Sequence, residues 1–410
     1  MKNLVRHVSI VALAAAAGAC AARRAPLPAL DRPAPASPEE VGMSPGLNAT
    51  LDSIIDAALA DSAAPGAALA VGRWGRIVHL AGYGRTDWAA GSPAVTDSTL
   101  FDLASLTKVV GTTTAAMILE EEGRLDLDRP VRDYLPRFDA PDKAPITVRM
   151  LLTHNGGLEA FAALFLEHRG RDAYLEQINA RPLRAPPGTT TVYSDWDFIL
   201  LQLVIEEITG TTLDAFLEER LFAPLDMRDT RFNPPDAWKP RVAPTEIDTM
   251  RGGKVWGFVH DENAWAMGGV AGHAGLFSSA RDLAAFAHFL LAGGTFAGQR
   301  VLDAATIPRW TARQSPGSSR ALGWDTPSGA SSAGRFFSAR SFGHTGFTGT
   351  SAWMDPERGL FVILLTNRVN PTRENQKHVA LRQAVADAAQ RAVIDAPLRE
   401  REPAQQDRGR

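Results

Sequence analysis

Ser105 and Lys108 stand three residues apart in Leu103-Ala-Ser-Leu-Thr-Lys108, at the head of a run with helical spacing from Leu106 to Glu122 that Gly123 stops. Residues at i and i+3 share a helix face, so this spacing lays the amine beside the hydroxyl. A serine hydroxyl becomes a working nucleophile when a neighbouring base takes its proton. Lysine serves as that base when burial and nearby positive charge hold it neutral. The head of the helix adds backbone N–H groups that can meet a developing oxyanion. Without that partnership, Ser105 is a helix cap and Lys108 a surface charge.

Two further clusters carry chemistry. Tyr193-Ser-Asp195 precedes the clearest helical pattern of the middle region, Phe198 to Ile208, and His344-Thr-Gly346 precedes a β-rich stretch, Thr350 to Met354. Read singly, Tyr193 is an amphipathic residue at a helix entrance and His344 a strand-edge histidine. A dense polar segment, Val259-His260-Asp261-Glu262-Asn263, either lines a pocket or forms a solvated loop. His154 reads as a residue that ties a helix end, and Trp265 and Trp353 lie near motifs and are candidates to face a cleft. His260, His273 and Asp261 lack tight ligand spacing, so no metal is expected. The chain holds no Gly-x-Ser-x-Gly, His-Glu-x-x-His, phosphate loop or Gly-x-Gly-x-x-Gly, and no cofactor is expected.

Ser-x-x-Lys, then Tyr-x-Asp, then His-Thr-Gly follow one another at intervals of roughly 90 and 150 residues, the kind of ordered set that makes a motif match specific. In this the chain resembles the serine β-lactamase and penicillin-binding protein superfamily, and within it the class C β-lactamase-like serine hydrolases. Leu151-Leu-Thr-His154 with Gly156-Gly-Leu158, Gly272-His-Ala-Gly-Leu-Phe277 and Thr366-Asn-Arg368 fit the same resemblance, which spans roughly residues 40 to 393. It implies that Ser105 forms an acyl-enzyme and that Lys108 and Tyr193 share the base work. It also implies that the N–H groups of Ser105 and Phe347 form the oxyanion hole. His344, Thr345 and Gly346 would border the substrate, as would Asp195, with His260 and Asp261 as further candidates. Two positions depart from the family pattern. Asp195 replaces an asparagine and offers no donor when ionised. His344 replaces a lysine, which removes a permanent cation. Both changes predict weak recognition of a substrate carboxylate and a preference for neutral esters over β-lactams. A working Lys108 amine or Tyr193 phenolate predicts activity that rises into mildly alkaline pH.

These residues must be held by a fold. Leu47 to Ala60 has helical spacing; Gly66 to Gly72 and Arg76 to Leu80 flank Trp74-Gly75 as a hairpin. Asp282 to Ala292 reads as a helix, Leu360 to Leu365 as a strand, and about Glu374 to Ile394 as a last helix. Strands lie at both ends and helices between. Together with this pattern, the resemblance implies the class α+β, β-lactamase/transpeptidase-like: an antiparallel sheet flanked by helices. One lobe comes from about 45–147 and 266–395, with a mostly helical lobe, about 148–265, inserted.

Composition narrows the function further. Of 410 residues, 45% are hydrophobic and 22% charged, with a net charge of −3, so a nucleic-acid partner is not expected. Lys2 and Arg6 precede an apolar stretch, Val8 to Gly18, too short to span a bilayer, and Ala17-Gly-Ala19 leads to Cys20, the single cysteine. Residues 1–19 therefore read as a signal peptide, and Cys20 as a lipidation site that anchors the protein to a membrane; soluble export is the alternative. Residues 20–44 read as a Pro/Ala-rich tether and 396–410 as a polar tail. The expected protein is an exported cell-envelope hydrolase of esters or peptide-type amides, a peptidoglycan fragment among them. The alternatives are a true β-lactamase, a D-alanyl carboxypeptidase, or a non-catalytic ligand sensor of the same fold.

Overall fold

The computed structural model describes residues 32–329 and 331–401. The signal segment 1–19, Cys20 and residues 402–410 lie outside the described residues. The second half of the predicted tether is part of the domain. Ala34–Pro35 pairs in parallel with Arg76 and Ile77, the Arg76 guanidinium bonds the carbonyls of Ala34 and Pro35, and Val41 and Met43 are buried. Those two apolar side chains are the reason a segment of low helical and strand propensity is held down.

Six strands form the main sheet, in the order Ala34–Pro35, Arg76–Gly84, Gly66–Arg73, Leu360–Thr366, Ser351–Asp355, Phe342–Thr345. All pairings but the first are antiparallel. The central strands read as unbroken apolar runs because both faces are covered. Alternate residues point to opposite faces. Ala67, Leu69, Val71, Val362 and Leu364 meet helices Leu47–Ala60 and His378–Arg391. Ala68, Ala70, Ile363 and Leu365 join helix Ala280–Leu291 in a second cluster that continues into Leu151, Phe198 and Leu217 of the middle helices. The two expected lobes thus share one apolar core. Trp353 belongs to the outer cluster, against the terminal helices, and its indole N–H reaches Ser332; it does not face a cleft.

Three features position the chemistry. A small sheet of Phe101–Asp102, Leu276–Ser278 and Arg231–Phe232 leads straight into Ser105. The expected helix after Ser105 opens as a wide π turn, Lys108–Thr113, and becomes α-helical only from Thr114 to Glu121. Such widened turns concentrate at functional sites. Helix Asp195–Thr209 begins two residues after Tyr193, behind Ser194 as its N-cap, and ends at Gly210, whose φ of 69° is the left-handed cap that glycine adopts without strain.

Candidate active site

Ser105 follows Ala104, a non-glycine residue at φ 46°. That conformation is uncommon for a residue with a Cβ and is held by its surroundings. Asp102 supplies one hold: its Oδ1 accepts from the Ala104 N–H at 2.8 Å and its Oδ2 from the His260 N–H at 2.6 Å. Lys108 lies fully buried behind Ser105. Its Nζ donates to Ser105 Oγ at 3.1 Å, to Asp195 Oδ1 at 2.7 Å and to the His273 carbonyl at 3.1 Å. An ammonium has three protons, and all three are used. Burial pushes the Lys108 pKa down, but the Asp195 carboxylate and the adjacent Tyr193 outweigh it, and the net direction is up. Lys108 is therefore an ammonium that donates to Ser105. Of the two bases that the resemblance implies, the Tyr193 phenolate and the Lys108 amine, this geometry favours Tyr193: Asp195, the departure from the family pattern, holds the Lys108 charge in place.

Tyr193 lies beside this pair, with the Lys108 Nζ 4.8 Å from its ring centre. Its hydroxyl is buried and, among the described residues, has no hydrogen-bond partner. With Lys108 charged, the Tyr193 oxygen is the group left to accept the serine proton, and it does so as the phenolate, which the adjacent ammonium favours. His344 faces the Tyr193 ring at 5.8 Å between centroids. Its Nδ1 donates to the Thr345 carbonyl at 2.7 Å, which leaves Nε2 as an acceptor toward Arg320 Nη1 at 3.4 Å. Burial, then Arg320 and Lys108, hold the His344 pKa well below the ordinary histidine value. His344 is thus neutral, as expected, but the site does not lack a permanent cation. The Arg320 guanidinium sits 4.9 Å over the Tyr193 ring, beside His344. Two isolated β-bridges put it there: Arg320 pairs with Asp325, and Asp325 with Gly343 on the outer edge of the strand that carries His344. Nothing local in the sequence marks Arg320.

The oxyanion side is built by a turn. Gly346 passes so close to Leu103 that a Cβ there would collide with the Leu103 carbonyl and with Thr350 Oγ1. Thr348 Oγ1 donates to the Asp102 carbonyl at 2.7 Å, and Thr350 Oγ1 to that of Leu103 at 3.0 Å. These bonds staple the turn to the segment that carries Ser105. Arg382 holds the Gly346 carbonyl at 2.7 Å, and in a trans peptide the following N–H, that of Phe347, points the opposite way. Among the described residues, neither the Phe347 nor the Ser105 N–H donates to a protein acceptor. Both are the free donors that an oxyanion hole requires. The Phe347 ring is 48% exposed, with the Arg368 guanidinium 4.5 Å from its centre and the His260 ring stacked at 5.7 Å.

His260 and Asp261 part ways. His260 is buried, bonds Glu246 at 2.9 Å and supports Phe347 from beneath rather than lining the site itself. Asp261 bonds His273 Nε2 at 2.9 Å and caps the short helix Glu262–Ala266 through the Ala264 N–H. Oxygens of Asp195 and Asp261 and a nitrogen of His273 lie within 4.8 Å of one another, near enough to share a cation. The Lys108 ammonium already fills that role against Asp195.

With this geometry in view, the likenesses to known proteins are informative. The family model described as Beta-lactamase matches residues 51–387. A protein of Escherichia coli (strain K12) named "Putative D-alanyl-D-alanine carboxypeptidase" is 32% identical over 417 residues, covering 92% of this chain and 94% of its own length. A Salmonella newport (strain SL254) protein of the same name is 32% identical over 378 residues, covering 83% of this chain and 87% of its own. Among solved structures, a penicillin-binding protein homolog from Caulobacter crescentus is 26% identical with a TM-score of 0.69, over 85% of this chain and 99% of that one. The hydrolase EstCE1, described as having promiscuous acyltransferase activity, is 22% identical with a TM-score of 0.67, over 83% and 98%. At that identity EstCE1 speaks for the fold alone.

Proposed function

Because this chain belongs to the beta-lactamase family and is a serine hydrolase, we propose that it acts in the cell envelope on peptide-type amides or esters bearing a free carboxylate, D-alanyl peptides of peptidoglycan type among them. The observation that carries the substrate class is the Arg320 guanidinium, 3.4 Å from His344 and 4.9 Å over Tyr193. It restores the fixed positive charge that a histidine at position 344 removes. The second ground for expecting poor binding of anions also weakens, since Asp195 is ion-paired to Lys108 at 2.7 Å and presents little net charge. The name of the 32%-identical relatives, which describes a D-alanyl-D-alanine carboxypeptidase, supports the same reading.

In this reading the substrate carboxylate sits on Arg320 and its carbonyl oxygen enters the Ser105 and Phe347 N–H pair. Tyr193, acting as the phenolate, takes the Ser105 proton and becomes the neutral phenol as Oγ bonds the carbonyl carbon. The amine or alcohol leaves with a proton, and water then releases the acyl group from Ser105. Lys108 contributes a fixed positive field beside both oxygens. The protein reaches the envelope by export, with lipid attached at Cys20; among the described residues no helix is long and apolar enough to cross a membrane.

The test compares a D-alanyl-D-alanine peptide with its C-terminal amide on the wild type and on Arg320→Gln. We expect the wild type to favour the free acid, and the variant to lose about 100-fold in kcat/KM on the acid, about 2.7 kcal/mol, while losing less than ~3-fold on the amide. Equal losses on both substrates would remove Arg320 as the carboxylate anchor.

A further inference from the structure

Beneath Tyr193 lies a buried pair that the chemistry above does not use. His154 Nδ1 and Asp197 Oδ2 are 2.8 Å apart, and both side chains are shielded from solvent. His154 has φ 57°, a second strained non-glycine backbone within the site. It grips Tyr193 in three ways. Its carbonyl accepts from the Val192 N–H at 2.8 Å, its Nδ1 accepts from the Ser194 N–H at 3.3 Å, and its ring packs on the Tyr193 ring at 4.7 Å between centroids. The residues on either side of Tyr193 and its side chain are thus all held by one histidine.

Nδ1 has one lone pair, and of its two contacts the one to Asp197 Oδ2 at 2.8 Å is shorter than the one from the Ser194 N–H at 3.3 Å, so one proton lies between Nδ1 and Asp197. Burial, followed by the neighbouring Asp195, pushes the Asp197 pKa well up. Burial, then Arg320, Lys108 and His344, pushes that of His154 well down. Both directions agree with a neutral acid donating to a neutral imidazole. His154 Nε2, Asp197 Oδ1 and Tyr193 Oη are buried without a partner among the described residues. Unsatisfied polar atoms gathered in one place are costly and call for a reason.

We propose that His154, oriented by Asp197, is the positioning residue that fixes the Tyr193 hydroxyl at the Ser105–Lys108 pair. The proposal rests on the acyl-serine reading but not on the substrate class. His154 touches no reacting atom; it acts through Tyr193 and sets how well that residue is aligned, not what it is.

A double-mutant cycle on the rate of fluorophosphonate attachment to Ser105 separates this from a general structural role, and it requires no knowledge of the substrate. Tyr193→Phe is expected to slow attachment about 100-fold. His154→Ala should slow it about 30-fold with Tyr193 present, and less than ~2-fold in the Tyr193→Phe background. His154→Asn keeps an acceptor for Ser194 and tolerates the left-handed backbone, so it should recover to within ~5-fold of wild type and folds even if the alanine variant does not. Asp197→Asn keeps a donor to Nδ1 without a charge and should stay within ~3-fold of wild type. Equal slowing by His154→Ala in both backgrounds would overturn the proposal, as would a folded His154→Asn as slow as His154→Ala. Collapse of Asp197→Asn would overturn the neutral pair. No attachment to Ser105 in the wild type would instead overturn the acyl-serine reading itself.

Discussion

The two halves of the site solve opposite problems. Around Lys108 every hydrogen-bonding capacity is spent: three protons, three acceptors, and an ion pair at 2.7 Å with Asp195. Around Tyr193 three buried polar atoms have no partner among the described residues, and alignment comes from ring packing and from the backbone bonds of His154. A saturated ammonium is a fixed charge and a poor proton acceptor. A tyrosine oxygen left without a fixed partner can take a proton as the phenolate and return it as the phenol. The difference assigns the roles: Lys108 supplies the field and Tyr193 moves the proton. A buried polar group left open is tolerable only where the reaction fills it.

Substitutions can break this contrast at either end. Lys108→Ala removes the field and strands Asp195, and it should lower kcat/KM by at least ~1000-fold, about 4 kcal/mol. Asp195→Asn keeps the shape and should cost only about 10-fold. Because Asp195 holds the Lys108 pKa up, its loss moves Lys108 deprotonation to lower pH. The basic limb of the pH–kcat/KM profile should therefore shift toward neutrality, with the rate falling as Lys108 loses its proton. A rate that rises instead would show that Lys108 acts as a neutral base.

A smaller effect concerns stability. His344 is held neutral in the fold by burial, then by Arg320 and Lys108, and its pKa lies well below the ordinary value. In the unfolded chain it protonates near ~6.5. As pH falls below that point the unfolded state binds the extra proton, so this residue's contribution to stability is full above ~6.5 and is lost on acidification. His344→Asn should flatten the fall of Tm between pH 7.5 and 5.5 by a few degrees relative to the wild type. An unchanged slope would mean that His344 carries a proton in the fold.

Much of the site is legible in the chain because its parts are local. Ser105 and Lys108 are one turn apart, Tyr193 and Asp195 head one helix, and His344 to Phe347 form one strand end and turn. The hairpin about Trp74-Gly75 and the apolar run Leu360 to Leu365 are likewise local patterns, and they fit the α+β class. The missing parts depend on pairing across the chain. Arg320 reaches His344 only through the bridges of Asp325, 24 residues of irregular chain from its partner in sequence. Asp102, Thr348 and Thr350 act by stapling segments nearly 250 residues apart, and no spacing rule finds such bonds. The charge state of Lys108 is not legible for a related reason: serine and lysine fix their own geometry, but the balance of burial against Asp195 exists only in the fold. Trp353 lies next to a motif in sequence, yet strand alternation turns it to the opposite face of the sheet.

The most direct test of the account is to locate the covalent bond. Wild-type protein, Ser105→Ala and Tyr193→Phe are each incubated with a fluorophosphonate probe, followed by intact mass and peptide mapping. Turnover of a nitrophenyl ester is measured in parallel. A single adduct on Ser105, absent from Ser105→Ala together with a loss of turnover of at least ~10³-fold, and slow to form in Tyr193→Phe, is the predicted result. An adduct on any other residue, or Ser105→Ala protein that still turns over, would contradict it.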